Sequence, residues 1–280
     1  MPGKEPAVSR VACLLLPVVL LLALAACRRE PAAPPSAPDR AAATAAAPAA
    51  AAPPLQDVVE RDPRYLIGIS YPPVANRYPG LAAALEAYAD AAREELMQAV
   101  AGLGEGRPSA PYDLSLAFSE LAVTPQLVAI AADGSSYTGG AHGNPLLARF
   151  VWLAQQDRQL TAAELIPDPR AWRQIAGYVR EQLLTALSQR VDADAPPPAE
   201  RAEIVGNASR MIDEGTAPEP ENFAQFEPVL DGDGRIRALR FVFPPYQVGP
   251  YADGVQTVEV PAEVLLPKIA PQYRALFAGG

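Results

Sequence analysis

Residues 112–132, with the sequence YDLSLAFSELAVTPQLVAIAA, decide the fold class of this chain. From Tyr112 to Val123 an apolar side chain stands at every second position through Phe118, which is typical of a strand with one buried face. The run from Gln126 to Ala132 predicts an antiparallel neighbour, and residues 146–154 predict a further strand. The centre of the chain is therefore expected to form an antiparallel sheet.

Helical patterns lie on both sides of this stretch. Pro79 suits a first helical turn, and apolar residues recur at helical spacing from there to Gly102. Residues 172–190 and 199–213 predict two more helices, and the spacing of Thr161 and Glu164 predicts a capping box on a short turn. We therefore expect an α+β fold with helices packed mainly on one face of the sheet. The expected compact unit has two motif-bearing halves, residues about 60–166 and about 167–280.

The sequence DGDG at residues 231–234 lies between two apolar runs, 226–230 and 235–243. Such a turn between strands is a strong hairpin signal. It also resembles the start of a calcium loop, but the later ligands of that loop are not in place. The stretch therefore predicts a hairpin, and residues 255–260 predict the last strand.

Residues 1–26 predict a lipoprotein signal peptide. Lys4 and Arg10 precede an apolar run of 16 residues. A membrane-spanning helix needs about 20 residues, so the run is short for a span and fits a secretory signal. The run ends in Leu24-Ala-Ala-Cys27, which resembles a bacterial lipobox. That resemblance implies that Cys27 becomes the acylated N-terminus of the mature protein, with several fatty-acyl chains such as palmitate. Multiple chains anchor a protein stably, so the lipid is the expected membrane attachment.

Residues 27–54 hold the lipidated cysteine and a tether. Positions 28–54 contain 13 Ala and 7 Pro, with no aromatic residue. Such a segment cannot bury enough apolar surface to fold, and its prolines interrupt helices. No Asp follows Cys27 to hold the protein at an inner membrane. The expected location is the bacterial cell envelope, at the periplasmic face of the outer membrane if the cell is Gram-negative.

The composition of residues 55–280 excludes several classes of function. The whole chain has 2 Cys and 1 His, which cannot build a disulfide framework or a histidine-rich zinc centre. Five basic and three acidic residues precede Leu55, so the 226 residues that follow carry 18 basic and 29 acidic residues, a net charge of −11. An acidic domain argues against nucleic acid and favours a basic partner. No metal and no cofactor are expected.

The stretch from Tyr137 to Asn144, with the sequence YTGGAHGN, is the first candidate site. Its three glycines allow left-handed backbone and close approach, so the loop could present His142 and several amides to a ligand. Ser135 and Ser136 raise the idea of a serine–histidine pair, but no nucleophile-elbow motif is present. The alternative is that His142 fixes a tight turn between strands by bonding backbone carbonyls.

Residues 244–254, with the sequence PPYQVGPYADG, are the second candidate site. Two tyrosines and three prolines predict a stiff aromatic loop directly after a strand. Tyrosine is favoured in recognition surfaces because it offers a large amphipathic area and loses little entropy on ordering. The alternative is a wide turn whose tyrosines pack on the sheet edge.

Together these two stretches, with LTAAELI at 160–166 and LRFVF at 239–243, resemble the extracellular domain of RsiV-type anti-sigma factors. The same domain stands beside the catalytic domain of PdaC-type peptidoglycan deacetylases. The resemblance spans about Tyr65 to Phe277, nearly the whole folded part. In RsiV-type proteins this domain is a lysozyme receptor. The anti-sigma segment with its membrane span and the deacetylase's metal-binding motifs are both absent from this sequence.

The resemblance and the charge favour a non-catalytic envelope lipoprotein that binds a lysozyme-like muramidase, as a sensor or an inhibitor. A peptidoglycan- or glycan-binding module is the first alternative, and a cryptic hydrolase that uses His142 is the second. With 29 acidic residues a glycosidase-like carboxylate pair could always be found, but no sequence signature selects one. The candidate binding residues are Tyr137, Gly139, Gly140, His142, Asn144, Tyr246, Pro250 and Tyr251.

Overall fold

The computed structural model describes residues 53–280. The predicted signal peptide, the lipidation site Cys27 and all but the last two residues of the predicted tether lie outside the described residues. The α+β class predicted from the sequence is confirmed. Within the described part, no helix is long and apolar enough to cross a membrane.

The strands of residues 53–280 belong to two sheets. Their bounds are β1 Val58–Asp62, β2 Tyr65–Ser70, β3 Tyr112–Val123, β4 Leu127–Tyr137, β5 Asn144–Leu153, β6 Arg158–Gln159, β7 Phe226–Leu230, β8 Ile236–Phe243 and β9 Gln256–Pro261. The larger sheet has the order β1-β2-β3-β4-β5-β6, and neighbouring strands are antiparallel except β2 and β3. These two run parallel, because a helix, α1 (Pro79–Gly102), connects them. The DGDG turn lies between β7 and β8, as predicted, and with β9 these strands form a separate antiparallel sheet.

The three long helices lie close to the predicted positions. They are α1 Pro79–Gly102, α3 Pro169–Asp194 and α4 Pro198–Gly215, with short α2 Ala162–Leu165 and α5 Ala262–Leu265. The described part of the chain also contains four 3-10 turns, at Pro73–Arg77, Pro220–Phe223, Tyr251–Asp253 and Pro271–Leu276. Thr161 caps α2 by accepting a hydrogen bond from the Glu164 amide, as the capping box predicts.

The two faces of the larger sheet belong to two different hydrophobic cores. In β5, Phe150 and Trp152 pack in the core that contains the apolar stripe of α1. Val151 and Leu153 belong instead to the core that contains α3 and the smaller sheet. Because side chains alternate along a strand, one strand contributes to both cores. Both faces are therefore covered around β5, whereas the sequence led us to expect helices mainly on one face.

A buried charged network joins the two sheets. Arg149 on β5 donates to Glu227 on β7 at 2.6 Å, and their side chains are 7% and 8% exposed. The Arg149 guanidinium also pairs with Asp133, while Arg240 connects Glu227 to Glu259 at the surface. Buried charges are tolerated only when they are paired and hydrogen-bonded, so this network fixes how the sheets meet.

Candidate functional site

The two stretches selected from the sequence lie in two loops that touch each other. Residues 138–143 connect β4 to β5, and residues 244–255 connect β8 to β9. Their side chains meet in a cluster of three rings formed by His142, Tyr246 and Tyr251, here called the aromatic cluster. A strand from each sheet therefore delivers one half of the site.

The three rings of the aromatic cluster are in direct contact. His142 stacks on Tyr251 with ring centroids 4.0 Å apart and an interplanar angle of 18°. The Nε2 atom of His142 lies 3.3 Å from the Tyr246 hydroxyl, and its Nδ1 atom lies 3.1 Å from the Gly143 carbonyl. The Tyr251 hydroxyl donates to the same carbonyl at 3.3 Å. The Nδ1 contact agrees with the alternative that His142 bonds a backbone carbonyl, whereas the sequence did not predict the ring contact with Tyr251.

The glycine-rich loop owes its shape to two left-handed residues. Gly139 and Gly140 have φ of +99° and +106°, values that L side chains rarely adopt. The Tyr137 hydroxyl donates to the Gly140 carbonyl at 3.2 Å, which folds the loop back on its own strand. The loop therefore exposes His142 on a short, tethered turn.

The loop of residues 244–255, here called the tyrosine loop, is anchored to the rest of the protein by the side chain of Gln247. Gln247 donates through Nε2 to the carbonyls of Gly215 at 3.0 Å and Asn222 at 2.9 Å. Its neighbour Tyr246 has φ of +74°, which is uncommon for a residue with a side chain. The Tyr246 amide donates to the Gly249 carbonyl at 2.9 Å. The Tyr246 ring is thereby held outward and is 56% exposed.

An ion pair fixes the other end of the same loop. Asp253 closes the 3-10 turn that begins at Tyr251, and its carboxylate accepts from Arg190 on α3 at 2.8 Å. A Cβ on Gly249 would lie 3.1 Å from this carboxylate and 2.4 Å from the Gln256 Nε2 atom, so a larger residue there would displace the Gln256 side chain. Sequence reasoning missed Gln247, Asp253 and Arg190 as supports, since their partners are distant in sequence.

The remaining candidate residues lie beside the cluster. Asn144 begins β5 opposite Ser136, and Pro250 is an exposed residue directly before Tyr251. His142 makes no hydrogen bond to Ser135 or Ser136, and Ser136 is buried. Among residues 53–280, no group of three or more His, Cys, Asp or Glu side chains could hold a metal ion. The site is an exposed aromatic surface, which suits binding to a large partner.

Residues 165–263 match a family model described as "Protein of unknown function (DUF3298)". The matched segment runs from the end of α2 into α5 and includes Tyr246 and Tyr251, whereas the His142 loop precedes it. The chain is thus similar to DUF3298 proteins over its C-terminal half.

Two solved structures carry the same family description. One is a DUF3298 family protein from Pseudomonas aeruginosa PAO1, with 15% identity and a TM-score of 0.51, covering 82% of this chain and 99% of that chain. The other is a member of the family from Bacteroides fragilis NCTC 9343, with 17% identity and a TM-score of 0.45, covering 78% and 93%. The Pseudomonas structure supports the fold alone. No curated protein matches this chain.

Proposed function

We propose that this protein is a non-catalytic, lipid-anchored envelope protein that binds a lysozyme-like muramidase through the aromatic cluster. The observation that carries the proposal is the stacking of His142 on Tyr251, which joins the two motifs of the RsiV-type resemblance into one exposed surface. The assignment of lysozyme as the partner rests on that resemblance.

The physical character of the surface supports a protein partner. Tyr246 and Tyr251 are 56% and 36% exposed, although each has a large apolar ring. Exposed aromatic residues on a rigid support are typical anchors of protein interfaces. Because the ring positions are fixed by Gln247 and Asp253, little ordering entropy is lost when a partner binds.

The charge of the domain supports a basic partner. Residues 55–280 carry a net charge of −11, with 18 basic and 29 acidic residues. Opposite net charge accelerates encounter and makes the association rate fall as salt increases. Because animal lysozymes are commonly basic proteins, they satisfy this requirement.

The proposal is tested by titrating the purified full chain in detergent micelles with a basic animal lysozyme at low salt. We expect saturable binding that weakens about tenfold or more in Tyr246→Ala and Tyr251→Ala. Ile204→Ala is the matched control, because Ile204 is 37% exposed on α4, outside the aromatic cluster. Absence of binding at micromolar protein would overturn the proposal, and so would equal losses in all three variants.

A parallel cell-wall lysis measurement separates an inhibitor from a sensor. An inhibitor lowers the lysis rate in proportion to the bound fraction, whereas a sensor binds without that effect.

Sedimentation with purified peptidoglycan in the absence of lysozyme tests the glycan-binding alternative. Retention of the protein by the wall, lost in Tyr251→Ala, would favour that alternative. The hydrolase alternative requires a measurable activity that His142→Ala abolishes without unfolding the protein.

A further inference from the structure

A cleft of about 820 Å³ lies at the opposite end of β4 from the aromatic cluster. Its walls are the turn at residues 124–126, the hairpin turn at 231–235 and the 3-10 turn Pro271–Leu276. A smaller hollow of about 380 Å³ adjoins it and shares Gln126, Gln155 and Leu276. The two hollows together are here called the distal cleft. Each of the two hollows has a volume within the range of small-ligand sites.

The walls of the distal cleft are held by local hydrogen bonds. The Thr124 hydroxyl accepts from the amides of Gln126 and Leu127 at 3.3 and 3.0 Å. Asp231 accepts from the amides of Asp233 and Arg235, both at 2.9 Å. The Ala278 amide donates to the Ile236 carbonyl at 2.9 Å, which attaches the C-terminal segment. The cleft is therefore formed before any ligand arrives.

The polar lining combines amide side chains with charged ones, which include Asp233 and the paired Arg158 and Glu164. Gln126, Gln155 and Gln272 line the distal cleft and are exposed, so their carboxamides, which make no hydrogen bond within residues 53–280, are accessible to a ligand. A carboxamide offers donors and acceptors side by side, which matches the N–H and C=O of a peptide backbone. Leu276 and Leu230 supply apolar surface between these polar groups. The pattern suits an extended peptide with small side chains.

The positive charge of Arg235 indicates that the C-terminal carboxylate of such a peptide would bind in the cleft. Arg235 lines the cleft, is exposed, and forms no ion pair within the described part of the chain. Arg158, which lines the adjoining smaller hollow, is by contrast held in a two-point pair with Glu164 at 2.7 and 2.8 Å. A guanidinium without a partner can bind a carboxylate in the same two-point geometry.

The lining argues against a sugar. The aromatic residue of the distal cleft is Tyr273, which is 4% exposed and bonded through its hydroxyl to Arg158 and Glu164. Its ring cannot cover the apolar face of a sugar, because that ring is already buried in the protein.

We propose that the distal cleft is a second binding site, for a short peptide with a free C-terminal carboxylate.

The probe for this proposal is trialanine with a free carboxylate, added to the ¹⁵N-labelled full chain in micelles. We expect saturable shifts of the side-chain amide signals of Gln126, Gln155 and Gln272 at about 10 mM peptide, since a weak site has a Kd of about 1 mM. Arg235→Gln should weaken binding about tenfold. Arg237→Gln is the matched control, because Arg237 lies outside the cleft and pairs with Glu259.

Three results would overturn the proposal. Trialanine amide could bind as tightly as the free acid, a trimer of N-acetylglucosamine could shift these signals where trialanine does not, or no signal could move. Tyr251→Ala should bind trialanine with unchanged affinity. The outcome of the trialanine test is therefore independent of whether the aromatic cluster binds a lysozyme.

Discussion

The imidazole ring of His142 and the phenol ring of Tyr251 lie 4.0 Å apart and nearly parallel. Each residue comes from a loop of a different sheet, and both hydrogen-bond the Gly143 carbonyl. The contact therefore ties the β4–β5 loop to the β8–β9 loop, and the state of one ring should affect the order of the other loop.

His142→Ala should loosen both loops while the fold stays intact. An aromatic pair contributes about 0.5–1.5 kcal/mol beyond its buried area, so the loss of stability should be small. We expect faster hydrogen exchange at the amides of Asp253 and Gly254, which donate to carbonyls within the β8–β9 loop, with a melting temperature close to that of the wild type. His142→Phe restores the ring contact without the bond to Tyr246, and unchanged loop order in His142→Ala would contradict the coupling.

Gln247→Ala should destabilise the protein and disturb the tyrosine loop together. The carbonyls of Gly215 and Asn222 both lose their donor, and each unsatisfied buried group costs about 1–3 kcal/mol. Urea unfolding measures the first effect, and the exchange rate of the Tyr246 amide measures the second. Gln189→Ala, on the exposed side of α3, is the control for loss of a glutamine side chain.

The pair Arg149 and Glu227 should show strong coupling in a double-mutant cycle. Glu227→Leu leaves a buried guanidinium without its closest carboxylate, which costs about 3–5 kcal/mol. Replacement of both residues, by Met at 149 and Leu at 227, should cost less than Glu227→Leu alone, because no uncompensated charge remains. Additive losses in urea unfolding would show that the pair contributes nothing as a unit.

Asp157→Ala should destabilise the start of α1. Asp157 accepts from the Gly80 amide and from the Trp152 indole, both at 2.8 Å, and so caps a helix from 77 residues away. Loss of a helix cap costs about 1–2 kcal/mol. We also expect a change in the fluorescence of Trp152. Asp168→Ala, which uncaps α3 without a contact to a tryptophan indole, should lower stability without that spectral change.

Glu164 should contribute to stability above pH 4.5 and lose that contribution in acid. Its bond to the Arg158 guanidinium holds the pKa of the Glu164 carboxyl below the ordinary 4.5. A carboxyl with a lowered folded pKa stabilises the protein above its unfolded pKa, and the effect disappears as pH falls through the folded value. The difference in urea midpoint between wild type and Glu164→Gln should therefore be larger at pH 7 than at pH 3. A difference independent of pH would contradict the ion pair's role.

Local signals in the sequence predicted most of the secondary structure. Helix α1 follows its apolar stripe from Pro79 to Gly102, and the DGDG turn forms between β7 and β8 as expected. Strand β1 was not predicted, because its sequence VVERD has a half-buried pattern and its position depends on pairing with β2. The division of the strands between two sheets also depends on contacts that no local pattern encodes.

Both loops of the candidate site could be selected from the sequence. The contact between the two loops could not be predicted from it. Glycine and tyrosine content distinguished the loops of His142 and Tyr246, since these residue types are unusual in such density. Their meeting depends on the packing of one sheet against the other, through pairs such as Arg149 and Glu227, which are 78 residues apart. The supports of the tyrosine loop are likewise carbonyls and side chains of remote helices.

Strand β4 runs from Leu127 to Tyr137, with the distal cleft at its beginning and the His142 loop just beyond its end. Eleven residues of extended chain span roughly 35 Å. The two proposed sites therefore lie about one strand length apart, and a tripeptide in the distal cleft would not contact the aromatic cluster. If both proposals hold, β4 is a spacer of fixed length between them.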